Sequence, residues 1–363
     1  MKDAVVKRAV LTATFVVIAA FSCLLAGCKL LTAWQLKSVR VLGWEEDRYL
    51  WMAGNVGVVR WDVNQQVIIE RTFFRPDGID QFFVSKEGHV WAYGERFWAY
   101  GNGVWLFESE KWIETGETSG LRRGRIYDMV QTNDGIIWAA TSLGFRSWNK
   151  ETQLWEPTLI DQPGRTLVQG PDDSLWFGLA EDGILQLQSG ELTHWTVADG
   201  LIDNEIRSLL VASDDSIWVG TSRGASHWDG NRWQGWEHLG YPDPDGLVVY
   251  KFYETSDGTI WAATSEGVAR WDGKEWITYW SMHWRTIYTF LEADDGTFWV
   301  GCVGGLFRWI GDAWHEYTTT EGLSDNSWSR LVKGTNGTLY ASTKGGIYQY
   351  IAELDRWQPF PNK

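Results

Sequence analysis

The chain has 363 residues, of which 47 are acidic and 32 basic, and its formal net charge is -15. A surface of this sign repels phosphate groups, which excludes nucleic acid and anionic lipid headgroups as the main partners. Tryptophan is unusually frequent, with 27 residues, and this frequency indicates a structural need that recurs along the chain. The length fits one large all-β domain, because such domains often run long as a single unit.

The N-terminal segment has the pattern of a secretion signal. Basic residues open the chain, and the almost wholly apolar stretch 9–25 leads into Leu25-Ala26-Gly27-Cys28. This resembles a bacterial lipoprotein signal, so residues 1–28 are predicted as a signal peptide whose Cys28 thiol takes a diacylglyceryl group. Residues 29–37 then form a short linker to a domain over 38–363. An uncleaved membrane anchor is the alternative, because the apolar stretch 9–25 is nearly as long as the about 20 residues that span a bilayer.

The other cysteines and the residue after the signal add two expectations. Lys29 follows the cysteine instead of Asp, so in a cell with two membranes the resemblance implies the outer membrane and an extracytoplasmic location. Cys23 lies in the apolar stretch, which leaves only Cys302 in the folded part and no internal disulfide. We expect Cys302 to be a buried, inert thiol, because it lies in an apolar run.

An aromatic residue follows a turn at a nearly constant interval along the chain. Successive markers are 38 to 47 residues apart, and a constant period of this length is typical of repeat proteins. The eight markers are Trp51, Trp91, Trp138, Trp176, Trp218, Trp261, Trp299 and Tyr340. Their recurrence indicates burial between neighbouring units rather than ligand contact.

Four short strands can be read in one repeat. In the unit 206–237 they are IRSLLVA, SIWVGT, ASHWDG and RWQGWE, separated by turns rich in Asp, Gly and Asn. Four strands per repeat of about 41 residues define a propeller blade. The sequence therefore predicts an all-β propeller of eight four-stranded blades, or of seven if one of the first two units is not a true blade. Each blade supplies its own strands, so no terminal strand is left to close the ring unless 33–36 does so.

The repeat resembles a known family. Asp199-Gly200-Leu201-Ile202-Asp203-Asn204, followed by the core 214–221, is similar to the two-component regulator propeller repeat, and the opening recurs at 321–326. In that family the repeats commonly form extracytoplasmic sensors of histidine kinases that often respond to glycan fragments. No transmembrane or kinase segment follows the repeats, and we therefore expect a stand-alone lipoprotein. Residues 170–177 also resemble the streptogramin lyase propellers, over a single blade and without a paired catalytic histidine.

The chemistry-bearing residues form no recognisable catalytic or metal motif. Acidic pairs such as Asp214-Asp215 lie in two-residue turns, which supply too few of the six to eight oxygens that Ca²⁺ needs. No two histidines lie three to five residues apart, and there is no nucleophile motif or phosphate loop. We expect neither a catalytic site nor a cofactor. A lyase or hydrolase remains open, because a propeller active site is assembled from separate blades.

Departures from the repeat mark the candidate binding residues. The second blade contains an inserted loop, 95–103, that carries aromatic residues and an arginine. This combination suits a sugar, because aromatic rings stack on the CH faces of the sugar while a guanidinium group forms hydrogen bonds with the sugar oxygens. The candidates in this loop are Arg96, Phe97, Trp98 and Tyr100, and those on the rim are Arg123, Arg223, His283, Trp284 and Lys344. The alternative is that the loop is a hydrophobic plug over the mouth, or pairs as an extra strand.

These observations favour a non-enzymatic lipoprotein that binds a glycan or a small polar ligand on its axial loop face. The main alternative is an interaction platform for envelope proteins, and the second is the lyase or hydrolase. The identity of the ligand or partner does not follow from the sequence.

Overall fold

The computed structural model describes residues 40–45, 48–54, 57–62, 65, 67–72, 81–93, 104–109, 111–115, 120–121, 124–242, 246–326, 330–334 and 336–360. Within these residues the chain forms eight four-stranded antiparallel sheets, each built from four consecutive strands in chain order. Within the described ranges, short 3-10 turns lie at Val197–Asp199, Trp280–Met282 and Ala352–Leu354. No helix in these ranges is long and apolar enough to span a bilayer.

Most strands are four to six residues long, as the turn spacing predicts. In the first four sheets they are β1 (Arg40–Glu45), β2 (Tyr49–Gly54), β3 (Gly57–Asp62), β4 (Val67–Thr72), β5 (Gln81–Val84), β6 (Val90–Tyr93), β7 (Trp105–Glu108), β8 (Lys111–Glu114), β9 (Ile126–Gln131), β10 (Ile137–Thr141), β11 (Gly144–Asn149), β12 (Leu154–Pro157), β13 (Gly164–Gln169), β14 (Leu175–Leu179), β15 (Ile184–Gln188) and β16 (Glu191–Trp195). In the last four they are β17 (Ile206–Val211), β18 (Ile217–Thr221), β19 (Gly224–Trp228), β20 (Trp233–Trp236), β21 (Val249–Glu254), β22 (Ile260–Thr264), β23 (Gly267–Trp271), β24 (Trp276–Thr278), β25 (Ile287–Glu292), β26 (Phe298–Cys302), β27 (Gly305–Ile310), β28 (Ala313–Tyr317), β29 (Arg330–Lys333), β30 (Leu339–Thr343), β31 (Gly346–Ile351) and β32 (Arg356–Phe360).

The first strands of the sheets surround a common axis. Strand β13 contacts β9 and β17, β17 contacts β21, β25 contacts β29, and β1 contacts both β5 and β29. The sheets are therefore the blades of a β-propeller, which confirms the predicted fold, and their number is the higher of the two predicted counts. Among the described strands no blade borrows a strand from another, and the segment 33–36, which could have supplied one, lies outside the described residues. The ring closes by packing between the first and eighth blades, where the rings of Trp61 and Phe360 meet edge to face at 5.8 Å.

The repeated aromatic markers pack between neighbouring blades. In five blades of the described chain the marker on the second strand meets two aromatic rings from the third and fourth strands of the next blade, with ring centroids 4.9 to 5.8 Å apart. These sets are Trp51 with Phe107 and Trp112, Trp91 with Trp148 and Trp155, Trp218 with Trp271 and Trp276, Trp261 with Trp309 and Trp314, and Trp299 with Tyr350 and Trp357. The structural interpretation of these tryptophans therefore holds, because the same packing is needed at each junction.

The acidic turns between the first and second strands hold their own hairpins. Asp214 Oδ1 accepts hydrogen bonds from the backbone N–H and the hydroxyl of Ser216, at 3.1 and 2.6 Å. These bonds favour the carboxylate and lower the pKa of Asp214. Asp215 follows with φ 70°, in the left-handed region that the turn requires. The Asp214 carboxylate thus stabilises the hairpin turn, as the sequence predicts.

Cys302 is fully buried at the end of β26, and its Sγ contacts the carbonyl oxygen of Gly305 at 3.6 Å. Burial raises the pKa of this thiol to about 12. A thiol that is both inaccessible and protonated is a weak nucleophile, as expected from its place in an apolar run.

Candidate functional site

The structure describes four of the predicted binding residues. Arg223 and Lys344 are exposed, in the loops that join the second and third strands of the fifth and eighth blades. His283 and Trp284 lie in the connection between the sixth and seventh blades. The remaining predictions lie outside the described residues: Arg96, Phe97, Trp98, Tyr100, Arg123 and the lipidation residue Cys28.

His283 and Trp284 are brought together with an acidic residue that the sequence did not single out. Glu266, in the loop between β22 and β23, accepts a hydrogen bond from Trp284 Nε1 at 2.8 Å, and its Oε2 lies 3.0 Å from His283 Nε2. The backbone N–H of Trp284 also donates to the Glu266 carbonyl oxygen, at 2.9 Å. These bonds hold the Trp284 indole in place although 78% of the residue is exposed. The result is a fixed aromatic face on the loop side of the propeller.

A second set of residues lies on the first strands, at the axis. Five consecutive blades, from the third to the seventh, share a β-bulge at the same place. In the fifth blade Ile206 pairs with Thr221 and Ser208 pairs with Gly220, so Arg207 between them has no partner residue on the second strand. The five bulge residues are Tyr127, Arg165, Arg207, Tyr250 and Tyr288. Bulges commonly redirect a side chain at a rim or a site.

These five residues form what we call the axial ring. Each bulge lies beside the last residue of the second strand, and therefore next to the loops that carry Arg223 and Glu266. The faces of a first strand are covered by the neighbouring blades, so an exposed side chain there opens onto the central channel. Tyr250 is 49% exposed and Tyr288 is 41% exposed. The axial ring thus borders the mouth of the channel on the loop face.

Two contacts fix the arginines of the axial ring. The Arg165 guanidinium carbon lies 4.7 Å from the centre of the Tyr127 ring, and its buried Nε has no hydrogen-bond partner among the described residues. Arg207 Nε donates to Ser222 Oγ at 2.8 Å, and its guanidinium pairs with the Glu205 carboxylate. The charge of Arg207 is therefore locally compensated, whereas Arg165 forms no ion pair within the described part of the chain.

The next residue on each strand forms a second level, one step deeper in the channel. Its members pair with the residue just before the end of the second strand: Asp128, Thr166, Ser208, Lys251, Thr289 and Arg330. Asp128 Oδ2 accepts hydrogen bonds from Thr166 Oγ1 at 2.8 Å and from the Leu167 N–H at 3.2 Å. This carboxylate joins the third blade to the fourth.

The two opposite charges of this level, Asp128 and Lys251, each affect the pKa of the other. Burial raises the pKa of Asp128, although the two hydrogen bonds from the fourth blade and the Lys251 charge oppose this rise. Burial likewise lowers the pKa of Lys251, with Asp128 opposing and Arg330 reinforcing the change. The Lys251 residue as a whole is exposed to solvent.

The sequence analysis missed the axial ring, although a signal was present. In five repeats a tyrosine or arginine interrupts the apolar first strand at the same point. Simple alternation assigns this residue to one face of the sheet. Only the bulge, which adds a residue to one strand, directs it to the mouth of the channel.

Comparison with known proteins agrees with this architecture. A family model described as "Two component regulator propeller" matches residues 200–223, which include the first strand of the fifth blade and Arg207. The chain carries the two-component regulator propeller repeat. The family resemblance predicted from the sequence is thereby confirmed. No curated protein matches the chain.

Several solved structures share the propeller fold. The extracellular domain of a hybrid two-component system from B. thetaiotaomicron aligns with a TM-score of 0.60 and 17% identity, over 86% of this chain and 39% of that domain. The C-terminal WD40 domain of Sif2 gives a TM-score of 0.62 at 13% identity, over 86% of this chain and 95% of that domain. Virginiamycin B lyase from Staphylococcus aureus gives 0.54 at 12% identity, over 75% of this chain and 94% of the lyase. At these identities the likeness concerns the fold, and the chain spans about two fifths of the B. thetaiotaomicron domain.

Proposed function

We propose that this protein is a non-enzymatic, extracytoplasmic propeller that binds a glycan or another small polar ligand at the mouth of its central channel. The observation that carries the proposal is the axial ring, in which five blades use the same bulge to present only tyrosine and arginine. A purely structural bulge needs no particular side chain. The repeated use of tyrosine and arginine at the mouth of the channel therefore supports a role in ligand recognition.

The chemistry of the axial ring suits a sugar. Tyrosine rings stack on the apolar CH faces of a pyranose, while a guanidinium group donates forked hydrogen bonds to hydroxyl or carboxylate oxygens. The ring is built on strands, so little side-chain and backbone ordering is needed when a ligand binds. The fixed indole of Trp284 offers a further stacking surface on the same face.

The proposed location rests on the N-terminal pattern. The segment ending in Cys28 has the residues of a lipoprotein signal, and the B. thetaiotaomicron relative of this fold is an extracellular domain. We propose that Cys28 is lipidated and that the propeller is held at the outer face of a membrane, the outer membrane in a cell that has two.

The proposal is tested by a thermal-shift screen of the purified protein against neutral and acidic oligosaccharides, followed by calorimetric titration of each compound that shifts the melting temperature. In Arg165→Ala and Tyr250→Ala we expect at least tenfold weaker binding, about 1.4 kcal/mol, because stacking and forked hydrogen bonds are lost. In Tyr250→Ala the melting temperature without ligand should change little, since this residue is 49% exposed.

A matched control is Arg232→Ala. This arginine lies at the turn between the third and fourth strands of the fifth blade, with a side chain that is 80% exposed. It should bind like the unchanged protein. Binding that is equally strong in all three variants would exclude the axial ring as the site. Conversion of a bound compound to product would favour the lyase or hydrolase alternative, and a co-purifying envelope protein in the absence of any bound sugar would favour the interaction platform.

A further inference from the structure

We infer that Glu266, His283 and Trp284 form a second sugar subsite beside the mouth of the channel, which takes an uncharged pyranose unit. The ligand is then an oligosaccharide that contacts both this subsite, which we call the indole subsite, and the axial ring. This inference rests on the proposed function and specifies the ligand class of the same site. It follows from the way in which one exposed tryptophan is held.

The Trp284 backbone has a conformation that a large residue rarely adopts. Its φ is 57°, in the left-handed region, which costs free energy for any residue that has a Cβ atom. Glycine would adopt this conformation without that cost. The chain nevertheless has a tryptophan here and leaves 78% of it exposed, so packing does not explain the residue. Backbone strain of this kind clusters at ligand-binding sites.

Two hydrogen bonds to Glu266 hold the strained residue. The Trp284 backbone N–H donates to the Glu266 carbonyl oxygen at 2.9 Å, and Trp284 Nε1 donates to Glu266 Oε2 at 2.8 Å. Glu266 is itself fixed, because its N–H donates to Thr264 Oγ1 at 3.1 Å. The next residue, Gly267, has φ 126°, and a Cβ atom there would lie 2.2 Å from the Met282 carbonyl oxygen. The loop and the connection that carries the indole are thus closely packed, and little ordering is needed when a ligand stacks on the indole.

Glu266 keeps a second acceptor beside the indole. Its Oε2 lies 2.8 Å from Trp284 Nε1 and 3.0 Å from His283 Nε2, whereas its Oε1 accepts no hydrogen bond from the described residues. The Glu266 side chain is 24% exposed. The His283 ring contacts the rings of Tyr241 and Trp284, at centroid distances of 6.1 and 4.8 Å, and so supports the arrangement. An exposed aromatic ring and a carboxylate oxygen therefore lie next to each other on the loop face.

This combination fits an uncharged sugar unit. The CH face of a pyranose stacks on an indole, and a hydroxyl group of the same unit donates a charge-assisted hydrogen bond to the carboxylate. A unit that carries a carboxylate or a sulfate would place a second negative charge beside Glu266, and like charges in contact weaken binding. The arginines of the axial ring accept hydroxyl and carboxylate oxygens alike. The indole subsite therefore supplies a specificity that the axial ring does not.

The indole subsite is close enough to the axial ring for one ligand to contact both. Trp284 precedes Tyr288 of the axial ring by four residues, which span at most about 14 Å when fully extended. From the other side, the Ser265 N–H donates to the Val248 carbonyl oxygen at 2.9 Å, two residues before Tyr250. A single sugar unit gains from one stacking surface, whereas an oligosaccharide gains from both. Affinity should therefore rise with the length of the sugar chain.

The test is calorimetric titration of the full chain with three probes. Methyl β-glucoside is a single neutral unit, cellotetraose is a neutral chain, and tetragalacturonate is an acidic chain. We expect cellotetraose to bind at least ten times more tightly than methyl β-glucoside. Trp284→Ala should remove this gain and leave the binding of methyl β-glucoside unchanged, whereas Tyr250→Ala should weaken both neutral probes because the axial ring loses a stacking surface.

Variants of Glu266 separate its charge from its role in positioning the indole. Glu266→Ala should weaken cellotetraose binding at least tenfold, and Glu266→Gln, which keeps an acceptor oxygen, should restore most of the affinity. Glu266→Gln should also bind tetragalacturonate at least threefold more tightly than the unchanged protein, because the repulsion is gone. In protein labelled with fluorotryptophan, the fluorine NMR resonance that Trp284→Phe removes should shift in Glu266→Ala and on addition of cellotetraose. Glu275→Gln, at an exposed turn of the same blade, is the matched control and should behave like the unchanged protein.

Each part of the inference can be overturned separately. Binding that depends on Tyr250 but is equally strong in Trp284→Ala would remove the indole subsite and leave the proposed function standing. A Trp284 resonance that is unaltered in Glu266→Ala would show that Glu266 does not position the ring. No gain for tetragalacturonate in Glu266→Gln would remove the selection against charged units. If no probe binds in a manner that depends on Tyr250 or Trp284, both this inference and the axial ring as a glycan site are contradicted.

Discussion

Tryptophan residues of this protein have two different roles, and burial separates them. Trp299 is fully buried at the junction between the seventh and eighth blades, where it meets the rings of Tyr350 and Trp357, and its Nε1 donates to Thr297 Oγ1 at 3.2 Å. Trp284 is 78% exposed on the loop face and is held through Glu266. The same residue type therefore serves packing at one position and a free surface at the other.

This difference leads to a prediction about stability. Trp299→Ala should lower the free energy of unfolding by about 3–5 kcal/mol, because it leaves a cavity between two blades. Trp284→Ala should lower it by less than about 1 kcal/mol, since little apolar area is withdrawn from water at that position. Urea denaturation followed by circular dichroism measures both. Equal losses in the two variants would contradict the division of roles.

At the scale of the strand, the first strand of a blade has three roles along its length. Its beginning holds the bulge that faces the mouth, and its middle packs between blades. Its last residue binds the first hairpin turn of the preceding blade. In β21 this residue is Glu254, which accepts hydrogen bonds from the Ser213 N–H at 2.8 Å and from the Ser213 hydroxyl.

Contacts of this kind recur between blades, and we call them turn latches. The pairs are Gln131 with Lys86, Gln169 with Asn133, Glu254 with Ser213, Glu292 with Ser256, and Lys333 with Asp294. The second and fifth blades depart from the pattern, because their first strands end in Val84 and Val211. The acidic and polar residues on this side of the propeller therefore connect blades.

The turn latch predicts a measurable contribution to stability. Glu254→Ala should lower the free energy of unfolding by about 1–2 kcal/mol, since two hydrogen bonds to a carboxylate are lost at a partly exposed site. The control is Glu275→Ala, an exposed residue of the same blade, which should change the free energy by less than about 0.5 kcal/mol. Thermal and urea unfolding both report the difference. An unaltered midpoint in Glu254→Ala would show that the latch contributes nothing.

At the scale of the whole molecule, side-chain packing joins the first and eighth blades, and no described strand is shared between them. Trp61 of the first blade meets Phe360 of the eighth, and Phe360 also meets Tyr340 of its own blade at 5.0 Å. Side-chain packing at this seam replaces the strand exchange that fastens a ring by backbone hydrogen bonds.

The proposed attachment of the propeller to a membrane gives a separate prediction at the scale of the whole chain. Cells expressing the full chain and fed an alkyne fatty acid should label the protein, and Cys28→Ala should abolish the label because the acceptor thiol is gone. Cys23→Ala is the matched control, since it lies in the same apolar stretch and should keep the label. Labelling that persists in Cys28→Ala would reject the lipid anchor.

Much of the architecture could be predicted from the sequence because the signals are local. The spacing from Trp218 to Trp261 and Trp299 gives the repeat, and the turn at Asp214 and Asp215 gives the first hairpin of its blade. Alternation of apolar residues along short strands then gives the four-stranded unit. Each of these features depends on residues within one repeat, and repetition made the pattern unmistakable.

The binding site could be predicted only in part. Trp284 was a candidate from the sequence, and the structure describes it as an exposed residue of the loop face, next to Glu266. Glu266, which holds it, lies 18 positions earlier in a loop that obeys the repeat, so nothing local marked it. The aromatic insert of the second blade lies outside the described residues, and its role in binding stays a prediction.

The sequence by itself therefore determined the all-β class, the repeat family and the four-stranded unit, because strand and turn preferences act within a few residues. Only the tertiary structure decided between seven and eight blades, and it alone decided the axial ring, the turn latches and the packing between the first and eighth blades. Arg165 stacks on Tyr127, which is 38 positions away, and Glu254 binds Ser213 across 41 positions. Such contacts arise when neighbouring blades come together around the axis, and the extra residue of a bulge decides which side chains then face the channel.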